Sequence, residues 1–283
     1  MSDGVETELR DAAHSGEVGG EVGDMHIHKP KAAHGLREFL GEISVIVVGI
    51  LIALTAEQVA EQWHWSERVH EVHGQLLSET SANASSALVW LAVSPCLDHQ
   101  LAAADQEAWE ARRLGVLQPA AQRFSSPLVV FTSDSWLNAR SLQVSDHLKS
   151  EEVTDFTGVY FFPAEMKDDV TSLHEMAAGL EPLTRPLEHV TPAEADEFIT
   201  KIGRAKELQS RMELGALLLI RMADRVHAPS PLAYAQSQLA EYRSIYGACV
   251  SDPAEVLTLA RAHYLHFPDA FRRMRLATPD LPG

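Results

Sequence analysis

The chain reads as all-α: a single N-terminal transmembrane helix followed by an antiparallel helical bundle. Three observations predict this. The run Phe39 to Ala56 is 18 residues long, and its Ile43–Ala56 part is uncharged. Beyond it, apolar and small residues recur every three or four positions, the spacing of helices that bury one face. Alternating Val/Ile/Thr strands closed by Asn-Gly turns are absent from the sequence.

The apolar run sets the organisation. A bilayer core needs about 20 mostly apolar helical residues, with a lower limit near 17. The span is marked by Phe39, Val48, Gly49, Ala53 and Ala56, with Glu42 close enough to one end to reach the headgroups. A run apolar on all faces is unusual for a soluble helix, and Trp63 and Trp65 follow where an interfacial belt belongs. The competing readings are a buried core helix and a cleaved signal peptide. The latter fits poorly, because the preceding 40 residues carry eight acids, whereas a secretory leader is short and basic. Lys29, Lys31 and Arg37 precede the run, and Arg68 is the sole Lys or Arg in the 20 residues after it. The positive-inside rule then puts the N-terminus in the cytoplasm and the long C-terminal part outside.

Three regions follow. Residues 1–34 form a polar, disordered cytoplasmic tail and linker. Residues 35–62 are the transmembrane helix with its flanks, and 63–283 an extracytoplasmic helical bundle domain. The net charge is −17, of which −12 falls after Glu42. Such a surface repels phosphate backbones, so nucleic acid is excluded as a partner. The partners expected are the lipid bilayer and either a second copy of the chain or another membrane protein.

The helices can be placed in order. The first continues from the span along a stripe of Val59, Trp63, Ser66, Val69, His73, Leu76, Thr80, Ala84, Leu88 and Leu91, and should stop at Ser94-Pro95. A shorter helix from Leu97 ends at Gly115. Between Pro119 and Pro127 the chain turns, and Leu128–Phe131 is either a short strand or a packed loop. Ser133-Asp-Ser-Trp136 starts a helix, and Ser150 caps the next, which Pro163 should kink or split. Thr191-Pro-Ala-Glu194 is a capping box with Pro at the first helical position. Its helix, to about Val226, carries a seam of Phe198, Ile202, Ala205, Leu208, Met212, Gly215, Leu219, Met222 and Val226. Leu214–Ile220 within it reads as core rather than a second membrane pass. Pro231–Tyr246 and Pro253–Phe267 complete the set.

Chemistry is sparse. Glu67, His70 and His73 step by threes, with His64 nearby; a Glu-x-x-His pair from each of two helices builds di-iron sites in bundles. Only one such pair occurs here, which makes these three weak metal candidates and a metal-dependent enzyme using the His64–His73 cluster a minor alternative. His174-Glu175 lacks the second His of a zincin helix. His263 and His266 read as structural, and His26, His28 and His34 as linker. No catalytic residue and no cofactor are inferred. Cys96 and Cys249 are far apart in sequence; outside the cytoplasm they can pair, and inside it they remain two buried thiols. Asn83-Ala-Ser85 fits the glycosylation pattern, and Gly49-x-x-x-Ala53 allows close helix approach.

The stretch His28-Lys-Pro-Lys…Leu36-Arg-Glu-Phe-Leu-Gly-Glu-Ile-Ser-Val-Ile-Val-Val-Gly-Ile resembles the N-terminal anchor of a family of uncharacterised single-pass bacterial inner-membrane proteins. In these a basic REFL-x-E lead precedes a Val/Ile/Gly-rich span and a helical extramembrane domain. The resemblance implies a bacterial inner-membrane address with the C-terminal domain periplasmic, and carries over no functional residue. The expected function is that of a membrane-anchored helical interaction or scaffold protein. The alternative is a ligand-sensing periplasmic bundle, which would need a separate signalling partner.

Overall fold

The computed structural model describes residues 35–119 and 123–262. The tail, the three linker histidines, Lys29, Lys31, His263 and His266 lie outside the described residues, as does the end of the helix expected to reach Phe267. All-α holds: the elements are α1 (Leu36–Leu114), α2 (Asp134–Ser141), α3 (Ser150–Gly179), α4 (Pro192–Arg225), α5 (Leu232–Tyr246) and α6 (Pro253–Ala262). Short 3₁₀ turns at Val144–His147, Glu181–Thr184 and Gly247–Cys249 join some of them. Contacts divide the chain into two compact units, meeting at Gln58 and Val59.

In the first unit the described part is helix. Its apolar residues are exposed, Val45 to 73% and Ile52 to 64%.

The second unit is organised around α1, and here two expectations fail. Ser94-Pro95 does not end the helix; α1 runs through Pro95 to Leu114, so the expected second helix is its continuation. Pro removes one intrahelical hydrogen bond and crowds the carbonyl four residues back, costing roughly 3 kcal/mol. The surroundings hold the helix regardless. Ala92, in the turn Pro95 loosens, takes a hydrogen bond from Ser251 N–H at 2.9 Å through its carbonyl, and the neighbouring Cys96 lies at disulfide distance from Cys249. The single stripe is also wrong for this stretch. Every residue from Asn83 to Ser94 is buried, so the helix is covered on all sides. Its Ala and Ser positions let neighbours approach, while Leu88, Trp90 and Leu91 fill the space between them. Nearer the span the stripe fails for the opposite reason: Val59 and Trp63 are exposed.

The capping residues behave as their chemistry dictates. Gly115, at φ +72°, ends α1 in a conformation that glycine adopts without strain. The chain then pairs with a distant strap, Leu117 and Leu187 exchanging both N–H···O bonds at 2.9 and 3.1 Å. Thr191 and Glu194 form the expected box: Glu194 N–H donates to Thr191 Oγ1 at 3.3 Å, and Thr191 N–H to Glu194 Oε2 at 2.8 Å. At α3 the N-cap is Lys149 rather than Ser150, with Lys149 N–H bonded to Glu152 Oε2 at 3.1 Å. Pro163 is buried inside α3 without splitting it. Leu128–Phe131 is a packed loop with Val129 and Phe131 buried, not a strand.

Helices α3 and α4 pack against each other in opposite senses. A Cβ on Gly158 would stand 2.7 Å from Met222 Cε, and one on Gly215 3.2 Å from Met166 Cγ, so position rises on one helix as it falls on the other. Of the seam expected on α4, Ile202, Ala205, Leu208, Met212 and Leu219 are fully buried; Ala195, Gln209, Ala216 and Ile220 join them, while Leu214 is exposed.

Leu88 is wholly enclosed, so Leu88→Ala should cost about 2–5 kcal/mol by creating a cavity. The exposed Leu137 should tolerate Ala within roughly 0.5 kcal/mol. Chemical denaturation of the purified full-length chain compares the two, and equal losses would contradict an encircled α1.

Candidate functional site

The residues that carry a role divide between the apolar stretch of α1 and the polar groups that surround its buried middle. In the apolar stretch, every residue from Phe39 to Ala56 is exposed. Its richest 18-residue window has a mean hydropathy of 2.4 and is 0% buried. A core helix would show the opposite. Only two hydroxyls interrupt the uncharged run, and each is satisfied by its own helix. Ser44 Oγ donates to Leu40 O at 2.7 Å, and Thr55 Oγ1 to Leu51 O. That arrangement suits a medium without water, where each unpaired polar group costs several kcal/mol. Gly49 has nothing within 4 Å of an added Cβ, so the Gly49–Ala53 face is open.

The histidines and acids singled out from the sequence do not converge. Among the described residues, no three His, Cys, Asp or Glu side chains are grouped as a metal would need. His64, Glu67 and His70 are exposed. His73 stands edge-on to Phe156, ring centroids 5.6 Å apart, with Nε2 4.0 Å from Glu152 Oε1. Trp65 is the aromatic that sequence reading tied to lipid alone. It packs against the core and stacks on His147 at 3.8 Å, with the Arg68 guanidinium 5.2 Å from its ring centre.

Around the buried middle of α1, side chains take the place of a strand partner for the loop after Pro119. The Asn83 amide bonds Thr132 twice, Nδ2 to its carbonyl at 2.7 Å and Oδ1 from its N–H at 2.9 Å. Ser86 Oγ donates to Val130 O at 2.8 Å, and Gln100 Oε1 accepts from Ser125 N–H at 3.1 Å. From α5, the Tyr242 and Tyr246 hydroxyls donate to Leu128 O and Ser125 O at 2.7 and 2.6 Å. The backbone of an irregular, half-buried segment is thereby satisfied. Asn83 is 1% exposed with both amide atoms engaged, so in the folded chain it is no glycosylation acceptor. Sequence reading missed this clamp, although its signal was present: polar Asn83 and Ser86, one turn apart, in an otherwise apolar and small-residue stretch.

Other polar groups sit deeper. Ser94 bonds Glu213 Oε1 and accepts from Gln209 Nε2, within the core between α1 and α4. Tyr160 donates to Leu76 O at 3.3 Å; burial, then Glu79, pushes its hydroxyl far above the ordinary tyrosine range. Burial likewise pushes Tyr246 up to about 12. The Cys96 and Cys249 sulfurs lie at disulfide distance, with Cα atoms 5.3 Å apart across a separation of 153 residues. Among the described residues, these groups do not assemble a nucleophile, base and oxyanion site. No protein-family model, no curated protein and no solved structure matches the chain.

Two outcomes follow. Replacing both cysteines by serine should lower stability by up to about 4–5 kcal/mol, the chain-entropy value for so long a loop. Denaturation of the oxidised wild type and the double variant measures it, and no difference would mean that the bond does not form. The buried tyrosines set an alkaline limit. Their folded pKa is raised, so above the unfolded value near 10 the unfolded chain binds fewer protons and is favoured. Stability should be unaffected by this group below pH 10 and fall from there through about pH 12. Tyr246→Phe should reduce that slope, and an unchanged slope would show Tyr246 to be solvated.

Proposed function

We propose that this chain is a single-pass membrane protein whose helical domain, held on the far side of the bilayer, binds a partner. One observation carries the reading: a fully exposed, uncharged helical stretch whose only hydroxyls are closed onto their own backbone. In water, so much bare aliphatic surface would drive association; lipid is the solvent that suits it. The flanking Lys29, Lys31 and Arg37 support a cytoplasmic N-terminus. With the resemblance of the lead-in segment, this gives a bacterial inner-membrane protein with a periplasmic antiparallel bundle. An oxidising compartment also suits the Cys96–Cys249 pair.

Interaction rather than catalysis is the better reading of the domain. Its polar groups tie loops to helices and helices to each other: Lys206 to Asp105 at 2.6 Å, Arg112 to Asp196 at 2.5 Å, and Asn83 to Thr132. The surface keeps large apolar side chains exposed on separate elements, among them Phe161, Leu214 and Ile245. The partner is a membrane protein or a second copy of the chain.

A reporter active only in the cytoplasm, fused after Gly283, should be silent, and an export-dependent reporter active. The reverse would overturn the orientation. Crosslinking in intact membranes should give species above monomer size that Leu214→Glu or Phe161→Glu weakens; a persistent monomer with no co-purifying protein would overturn the interaction role.

A further inference from the structure

Between α3 and α4, beside α6, lies a groove of about 620 Å³. That is the size of an occupied site rather than of a packing defect. Phe162 of α3 and Leu218 and Met222 of α4 line it, each half-buried. Leu218 and Met222 stand one turn apart on the same face of α4. Phe161, edge-on to Phe162 at 5.4 Å, adds an exposed aromatic next to them.

Charge does not select what covers this floor. Arg225 Nε is 2.8 Å from Asp155 Oδ1, and Arg261 holds Asp224 through Nε and Nη2 at 2.9 and 2.6 Å. Arg221, which also lines the groove, is engaged as well. With these groups taken, the choice falls to the apolar side chains, which gain by leaving water.

The chain itself brings a cover to this place. Arg261 is the last residue but one of α6 and forms part of the groove wall. The described residues end at Ala262, so residue 263 begins beside the groove. The sequence then runs His263-Tyr-Leu-His-Phe267-Pro268, in which Tyr264, Leu265 and Phe267 are large and apolar. Phe267 is six residues beyond Arg261, a reach of up to about 20 Å. Leu218, at the far end of the α4 wall, is seven residues from Arg225, about 10 Å along the helix. The segment can therefore span the floor with both ion pairs kept.

We propose that residues 264–267 seat in this groove of the same chain, with Tyr264, Leu265 and Phe267 covering Phe162, Leu218 and Met222. The Arg261–Asp224 pair fixes the point from which the segment departs, and Pro268-Asp269 ends its apolar part. The seat belongs to the helical unit alone. It stands whether or not residues 39–56 cross a membrane and whether or not the domain binds a partner.

Peroxide oxidation of methionine tests this on the full-length chain in phosphatidylcholine nanodiscs. Met222 lines the groove, whereas Met212 is wholly buried elsewhere on α4, so the two rates separate local uncovering from general loosening. Tyr264→Ser and Phe267→Ser should each speed Met222 oxidation at least threefold, and both together at least tenfold, with the Met212 rate unchanged. Leu281→Ser, outside the segment, should leave both rates as in wild type. A photoreactive benzoylphenylalanine placed at position 267 should crosslink to α3 or α4 within one chain. A Met222 rate unaltered in both serine variants, or raised only in step with Met212, would overturn the proposal. Crosslinks confined to other helices would do the same, and crosslinks that only join two chains would overturn it in favour of a segment from a second copy.

Discussion

The constraint on which the rest depends is that one helix is apolar and bare along one stretch and apolar and covered along another. Within α1, the Ile43–Ala56 stretch is exposed, with none of the described residues covering it, and the Asn83–Ser94 stretch is buried at every position. Both are rich in apolar and small residues, but what polar groups they contain is treated differently. Ser44 and Thr55 turn back on their own helix, closing it to outside partners. Asn83, Ser86 and Ser94 reach outward, to Thr132, Val130 and Glu213. A helix in lipid must satisfy itself, and a helix in a protein core can be satisfied by its neighbours.

That second mode explains why α1 survives Pro95. An isolated helix would break there, because the lost bond and the steric clash outweigh propensity. Surrounded on all sides, the helix has no room to bend away. Moreover, the segment after α5 returns to this same turn, placing Ser251 N–H on Ala92 O and Cys249 beside Cys96. The fold thus concentrates its longest-range ties at the one point where the central helix is weakest.

Much of this was legible in the sequence, and the failures share a cause. The all-α class, the stop at Gly115, the Thr191 capping box and the burial of the α4 seam rest on local rules that the structure follows. Pro95 misled, and Pro163 does not split α3, because tertiary packing outweighs the local penalty. The stripe along residues 59–91 was read as amphipathic from its spacing, yet Ala84–Val93 is apolar or small at every position and needed reading as a covered helix. Glu67, His70 and His73 matched a spacing rule on one helix, but a metal site needs a second helix to bring ligands, and spacing in one segment says nothing of that. The loop clamp on Asn83 and Ser86 depends on contacts between segments more than 40 residues apart, beyond any local pattern.

What remains decisive is the medium around the Val/Ile-rich part of α1. Membranes from cells expressing the full-length chain, washed at high pH with carbonate and sedimented without detergent, put it to the most direct test. The account predicts that the protein stays in the pellet and floats with lipid on a density gradient. A chain that passes into the supernatant as a dispersed soluble species would contradict it.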